Sequence, residues 1–336
     1  MGPLQKLQNR ARAHPQTIVL ADGEEDRAIA AAASSVSLKI AKPALIGRSP
    51  MIRSSAERIG INLADIEIVD PTSNPRISTY AEILFERRRA SGITLEEAYQ
   101  LVRIPLNFAA LRVVARDAHA AIAGLGYRAR EVTQSVIQLI GLAPNSRILS
   151  TCALVLLQSP DGPGFAQNNA LLFADCAVSD PSAQVLADVA IATAETARQL
   201  FEIDPRIALL SSLNQSRNNR VREASKIVRA RCPDLHLVET DADLALTPSI
   251  SAQSAVSPIA GRANVLVFPD GDSAEIATEL LQGTGAATVL RPIHQGLAKP
   301  MNGLSRNASI DDIVGIIAAT SIQAIAQTQL STVAGN

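Results

Sequence analysis

Between Gln295 and Gly315 the chain reads QGLAKPMNGLSRNASIDDIVG, which gathers hydroxyl, guanidinium and carboxylate side chains within a few residues of one another. Gly, Ala and Pro set an extended approach, Ser305 and Arg306 follow in a tight polar turn, and Ser309-Ile310-Asp311-Asp312 opens an apolar helix. The first turn of a helix carries N–H groups without carbonyl partners and a partial positive charge. These side chains therefore converge where an anion such as a phosphoryl group is readily held. Ser309 followed three residues later by Asp312 is also a capping box. Capping accounts for that pair but leaves Ser305-Arg306 unexplained, since a cap needs no bulky cation upstream of it.

Such a turn needs a scaffold, and composition says what kind. With 336 residues, 47% of them hydrophobic and 19% charged, the chain has enough apolar material for a large core in two domains. A formal net charge of −1 argues against a nucleic acid or an anionic membrane as partner. No apolar stretch of membrane-spanning length is evident, and MGPLQKLQNRARAHP lacks the apolar run of a signal peptide, so the expected location is the cytoplasm. Cys152, Cys176 and Cys232 fit a reducing compartment, and neither they nor His14, His119, His236 and His294 have metal-ligand spacing. Few aromatic residues are available to stack on bases.

Along the chain, strands alternate with helices. Thr17 to Ala21 predicts a β-branched strand ending at Asp22-Gly23, and Glu24-Glu25-Asp26-Arg27 opens an Ala-rich helix with acids in its first turn. The acid run 22–26 reads most simply as a solvated loop and helix start. Further strands at Pro43 to Gly47 and Ile66 to Asp70 continue an α/β alternation and a mainly parallel sheet. The helix Thr79 to Arg89 ends in Arg87-Arg88-Arg89, as helix C-termini favour. A second domain begins near Ser146, where Arg147 to Leu157 and Ala170 to Asp175 flank QSPDGPGFAQNN and predict an antiparallel hairpin. Asp180 and Pro181 read as the N-cap and first residue of a helix through Leu200. Strand 206–211, helix 219–231, strand 235–239, helix 240–246, strand 263–268 and helix 273–282 follow.

One glycine turn competes for attention. Ala118 to Gly124 reads as a buried strand running into Gly124-Leu125-Gly126-Tyr127-Arg128-Ala129, the G-x-G-x-x-A pattern of dinucleotide-binding turns. The acidic residue expected about 20 residues further on is missing, because 145–157 reads NSRILSTCALVLL.

QGLAKPMNGLSRNASIDDIV resembles the C-terminal signature of the phosphate acetyl/butyryltransferases, which move an acyl group between coenzyme A and inorganic phosphate. ADGEEDR is similar to the family's FPEGEDER, and ADCAVSDPSAQ to its ADCAVNPDP. LFERRRASGITLEEA aligns Arg88 with the family's substrate-anion arginine, with Arg87 or Arg89 one residue away. Departures accompany the match: the phosphate-loop positions read Tyr127, Arg128, Ala129 and Gln134, the 212–217 loop is short, and Gly283 stands where relatives carry a coenzyme-binding arginine. Arg128 or Arg130 could replace the lost charge, and Arg217 or Arg220 could meet coenzyme A phosphates, although two arginines before a helix are also common as solvated residues.

The resemblance implies two α/β domains of mainly parallel sheets flanked by helices, with an isocitrate/isopropylmalate dehydrogenase-like architecture and a cleft between them. Residues 1–148 with 284–336 would form the first and 149–283 the second, in a homodimer. It implies direct attack of the coenzyme A thiolate on an acyl phosphate, most simply acetyl phosphate, with coenzyme A or acyl-CoA as substrate and no metal or tightly bound cofactor. Asp312 would be the base, Ser305 would stabilise the oxyanion, and Arg306 with Arg88 would hold the phosphate, with Arg128, Gln134 and Arg217 lining the substrates. A thiol pKa of ~8.5 is far above an aspartate's, so burial or Asp311 would have to raise that of Asp312. The alternative is a non-catalytic acyl-CoA-binding regulator of the same fold.

Overall fold

The computed structural model describes residues 2–158, 169–175, 180–211, 215–240, 245–246 and 261–333. By contacts the chain divides into a central unit, Met1–Lys6 with Arg147–Gly296, and a discontinuous unit, Leu7–Ser146 with Leu297–Asn336.

After α1 (Pro3–Ala13), the discontinuous unit alternates β1 (Gln16–Leu20), α2 (Asp26–Ser37), β2 (Ala41–Ile46), α3 (Ser49–Arg58), β3 (Glu67–Val69) and α4 (Ile77–Arg88). Ile18, Val19 and Leu20 of β1 are all buried, as an interior strand of a parallel sheet covered on both faces requires. Then come α5 (Leu95–Leu101), whose Thr94 and Glu97 form a capping box, and α6 (Pro105–Val114), which has proline in its first turn. β4 (Ala120–Ala123) and α7 (Ala129–Ser135) follow, and the helix continues through a π-wound turn, Val136–Ile140.

The central unit is built on β5 (Ser150–Leu157), β6 (Ala170–Asp175), α8 (Ala183–Phe201), β7 (Arg206–Leu210), α9 (Gln215–Arg231), β8 (His236–Thr240), β9 (Val265–Val267), α10 (Gly271–Gly283) and β10 (Ala287–Gln295). Its six-stranded sheet has the order β10-β5-β6-β9-β7-β8. The predicted hairpin is present as antiparallel β5 and β6, whereas β6, β9, β7 and β8 are parallel. Ala153, Val155, Leu171, Phe173, Leu266 and Val289 belong to its buried core.

Three expectations change here. The return to the first domain, expected at 284, falls at Leu297, because β10 pairs antiparallel with β5 and so stays in the central sheet. The α8 cap is Ser182, whose hydroxyl accepts the Val185 N–H at 3.3 Å, in place of Asp180, whose carboxylate is taken by Arg220. The helix predicted from residue 219 begins at Gln215. Of the 240–246 helix, Ala245 and Leu246 are helical, Thr240 ends β8, and the rest lies outside the described residues.

The chain then re-enters the discontinuous unit as β11 (Met301–Gly303) and α11 (Ile310–Val333). The result is a five-stranded parallel sheet in the order β11-β4-β1-β2-β3. Strand order runs outward one way through β2 and β3 and the other way through β4 and β11, so it reverses between β1 and β4. In parallel sheets that reversal opens a crevice at the carboxyl ends of the strands, where ligands bind. α11 is long and apolar enough to cross a membrane, but 67% of that stretch is buried in the protein. Ile313, Ile316, Ile317 and Ala318 place it in the core, where it packs on α2, β1 and β4.

Candidate active site

At the reversal point, the ends of β1, β4 and β11 meet through backbone bonds. The Ala21 N–H donates to Ile122 O at 3.0 Å, and the Leu304 N–H donates to Ala123 O at 2.8 Å. Gly124 has φ +146°, and a Cβ there would lie 2.3 Å from Leu304 O, so only glycine lets the two strand ends approach this closely. Ser305 and Arg306 come directly after Leu304 and are exposed. Arg27 of α2 fastens their turn from one side, its Nη1 donating to the carbonyl oxygens of Arg306 at 3.0 Å and Ala308 at 2.8 Å.

Asp312 sits in the first turn of α11 and is half-buried, with Asp311 exposed beside it. Its Oδ2 accepts the Ser309 N–H at 2.9 Å and the Ser309 hydroxyl at 2.8 Å, while its own N–H donates to Ser309 Oγ at 3.1 Å. The capping box is thus real. It uses one carboxylate oxygen, and Oδ1 remains outside it.

The acid run after β1 opens α2 as expected, with Asp26 in its first turn and Glu25 exposed, but its first residue is not solvated. Asp22 is buried, and its carboxylate accepts the N–H groups of Gly124 and Gly126, both at 2.8 Å. Burial pushes its pKa up, against the pull of the glycine amides and Arg27. This bonding also answers the dinucleotide reading, because the amides that would cradle a pyrophosphate are held by a carboxylate from the same sheet. Glu24 forms a two-pronged ion pair with Arg48 at 2.9 and 2.7 Å, which pulls its pKa down. Beside them lies a cavity of about 450 Å³ whose lining includes Asp22, Arg48, Asp70, Thr72, Arg103 and Tyr127. Burial, and next the charge of Asp22, push the Tyr127 phenol up to about 12.

The three adjacent arginines at the end of α4 separate cleanly. Arg87 Nη1 donates to Ile140 O at 3.2 Å, and Arg89 pairs with Glu86 at 3.6 Å. Arg88 keeps a buried Nε with no hydrogen-bond partner. Since a buried guanidinium N–H without a partner is costly, Arg88 is the one of the three suited to receive an anion. Arg128 precedes α7, where its N–H donates to Glu131 Oε2 at 2.6 Å, and the side chains of Arg128, Arg130 and Gln134 are exposed.

These residues all belong to the discontinuous unit, whereas Arg217 lies in α9 of the central unit with its side chain outside the described residues. Residues 212–214 are likewise outside them. Arg220 is committed to Asp180 and to Pro181 O, so it is not an idle cation awaiting coenzyme. Gly283 ends α10 with open space around it. Arg27, which holds the Arg306–Ala308 turn, and Asp22 and Tyr127, which line the neighbouring cavity, were not singled out from sequence as site residues; the signal for the first two was the ADGEEDR segment.

A family model described as "Phosphate acetyl/butaryl transferase" matches residues 3–321. The chain belongs to this family. Among relatives of this transferase family, the phosphate acetyltransferase of Clostridium acetobutylicum is 34% identical over 96% of this chain and 99% of its own. That of Treponema pallidum is 36% identical over 95% and 98%. A phosphotransacetylase crystal structure from Streptococcus pyogenes superposes with TM-score 0.86 at 32% identity, covering 96% of this chain and 98% of that one. The 4-hydroxythreonine-4-phosphate dehydrogenase of Klebsiella pneumoniae, at 12% identity and TM-score 0.52, covers 92% of this chain and 99% of its own, and shares the fold alone.

Proposed function

We propose that this protein is a phosphate acyltransferase that moves a short acyl group, acetyl first, between coenzyme A and inorganic phosphate. The observation that carries the reading is one strand–helix junction, in a chain of the transferase family, that presents Ser305, Arg306 and Asp312 together at the carboxyl edge of the sheet.

In this reading the coenzyme A thiol gives its proton to Asp312 Oδ1, the carboxylate oxygen left outside the capping box. The thiolate sulfur attacks the carbonyl carbon of the acyl phosphate. The Ser305 hydroxyl donates to the carbonyl oxygen as negative charge develops on it. As the tetrahedral species collapses, the C–S bond is kept and the C–O bond to phosphate breaks. Phosphate leaves against Arg306 and Arg88, whose guanidinium groups match its oxygens in geometry and charge, and takes the proton from Asp312 to depart as the monohydrogen dianion, which restores the carboxylate. Arg128 supplies charge at the phosphate end, Gln134 supplies an uncharged donor, and Arg217 serves the coenzyme. Direct transfer requires neither a metal nor a covalent enzyme intermediate, and coenzyme A enters as a substrate.

The protein acts as a cytoplasmic homodimer, with small molecules rather than nucleic acid or membrane as partners. Its near-neutral charge and sparse cysteines support the location, and family likeness supports the dimer. Light scattering behind size exclusion should give two chains per particle. No observation favours the regulatory alternative, and the sequence relatives above carry enzyme names.

The deciding assay supplies acetyl, propionyl and butyryl phosphate with coenzyme A and follows thioester formation. Turnover with at least one is expected, acetyl fastest. Tight coenzyme A binding with no thioester from any of the three would overturn the proposal.

A further inference from the structure

At the other end of the same strands lies a second, smaller cavity of about 280 Å³. Its walls come from the segment entering β4 (Ala118, His119), the preceding turn (Arg116), Lys299 before β11, and Gln327 and Thr328 of α11. We propose that this pocket is a binding site for a small phosphate monoester dianion, separate from the catalytic junction. Because β4 and β11 are parallel, a ligand here sits at their amino ends, while Ser305 and Arg306 follow their carboxyl ends.

Charge is the first argument. The lining holds an arginine and a lysine and no carboxylate. Neither Arg116 nor Lys299 has a side-chain hydrogen bond or ion pair among the described residues. The nearest acid in sequence, Asp117, is already occupied by Arg76 and by the Tyr80 hydroxyl at 2.6 Å.

Backbone geometry is the second. Arg116 has φ +63°, a left-handed conformation that suits glycine or asparagine and that a long side chain rarely adopts. The turn is held by the Arg116 N–H on Val113 O and the Asp117 and Ala118 N–H groups on Arg112 O. Strained backbone of this kind clusters at ligand sites, and Arg116 is one of the residues that line the cavity.

His119 supplies the third. Its Nδ1 accepts the Thr17 N–H at 3.0 Å, so the neutral ring carries its proton on Nε2 as a donor. Burial, then Lys42 and Lys299, hold its pKa below the ordinary value. An anion between these groups reverses the electrostatic part of that shift and favours the imidazolium. Arginine and ammonium together match a dianion, and the space suits a phosphoryl group bearing a few carbons.

The test follows the His119 ring by NMR pH titration, its signals assigned by their loss in His119→Gln. Glycerol 3-phosphate is the probe, with sodium chloride holding ionic strength constant. In wild type the His119 pKa should rise by roughly half a unit to one unit. In the double variant Arg116→Asn, Lys299→Gln the rise should vanish while the thermal melt remains cooperative; asparagine is chosen because it tolerates the left-handed turn. No rise in wild type, or an equal rise in the double variant, overturns the site. An equal rise with succinate overturns the phosphate assignment.

Discussion

Asp312 has two candidate duties, helix cap and proton acceptor, and substituting it by asparagine separates them. The cap consists of two hydrogen bonds accepted by Oδ2 and one donated by the Asp312 backbone. Asparagine keeps an oxygen able to accept both, so what disappears is the negative charge at the helix start, worth ~0.3–1 kcal/mol. Ser309→Ala instead deletes the hydroxyl that both donates to Asp312 and accepts from it, a loss of ~0.5–2 kcal/mol. Removal of a general base lowers turnover by ~10²–10⁴-fold, or about 2.7–5.4 kcal/mol on the barrier. The catalytic effect of Asp312→Asn should therefore exceed its effect on stability several-fold. We expect Asp312→Asn to melt close to wild type, to bind coenzyme A by calorimetry, and to lose thioester formation. Ser309→Ala should melt lower and keep turning over. Full turnover in Asp312→Asn, or an inactive Ser309→Ala with an unchanged melt, would refute the assignment of the base.

Three further substitutions probe the surroundings. Gln134 is exposed on α7; Gln134→Arg should lower the KM for phosphate by up to one or two decades, the equivalent of a charged hydrogen bond of ~1.5–3 kcal/mol, and an unchanged KM would mean Arg128 or Arg130 already supplies that charge. Gly124→Ala puts a methyl group 2.3 Å from Leu304 O; it should cost ~1–3 kcal/mol of stability as overpacking and displace Ser305 enough to depress kcat, and wild-type kcat would show that Ser305 is not positioned through this contact. Glu24 has its pKa lowered by Arg48, so its stabilisation is present above the unfolded value of 4.5 and fades as pH falls through the lower folded value; Glu24→Gln should lower the melting temperature at pH 7 by an amount that shrinks as pH falls below 4.5, and a drop that does not change with pH would rule out the ion pair as the cause.

The parts of this fold that were legible in sequence are those whose signal is local. β1, β4 and the β5–β6 hairpin are short β-branched or apolar runs with turn residues beside them, and they appear within a few residues of where the pattern put them. β10 was missed because its apolar positions are interrupted by Arg291, Pro292, His294 and Gln295, and that omission moved the inter-unit boundary. Ser305, Arg306 and Asp312 could be put forward together from sequence because one continuous segment carries them all. Asp22 could not, because its partners Gly124 and Gly126 lie far along the chain, and an acid among acids looks solvated until the strand order brings those amides to it. Likewise nothing local separates Arg87 from Arg88, because the Arg87 partner, Ile140 O, comes from the π-wound turn far along the chain.

The threading of β11 beside β4 has a consequence for how the protein is made. Residues 147–296 are contiguous and can fold as soon as they leave the ribosome, while the first sheet lacks its edge strand until Met301–Gly303 has been synthesised. Asp22, Gly124 and Gly126 are in place long before the segment that they and Arg27 position. Ser305, Arg306 and Asp312 follow β11 in the chain, so any chain that stops before Met301 is a sheet with an open β4 edge and no junction. That edge would present the unpaired N–H and C=O groups of β4 to another strand, a template for association that β11 removes by pairing.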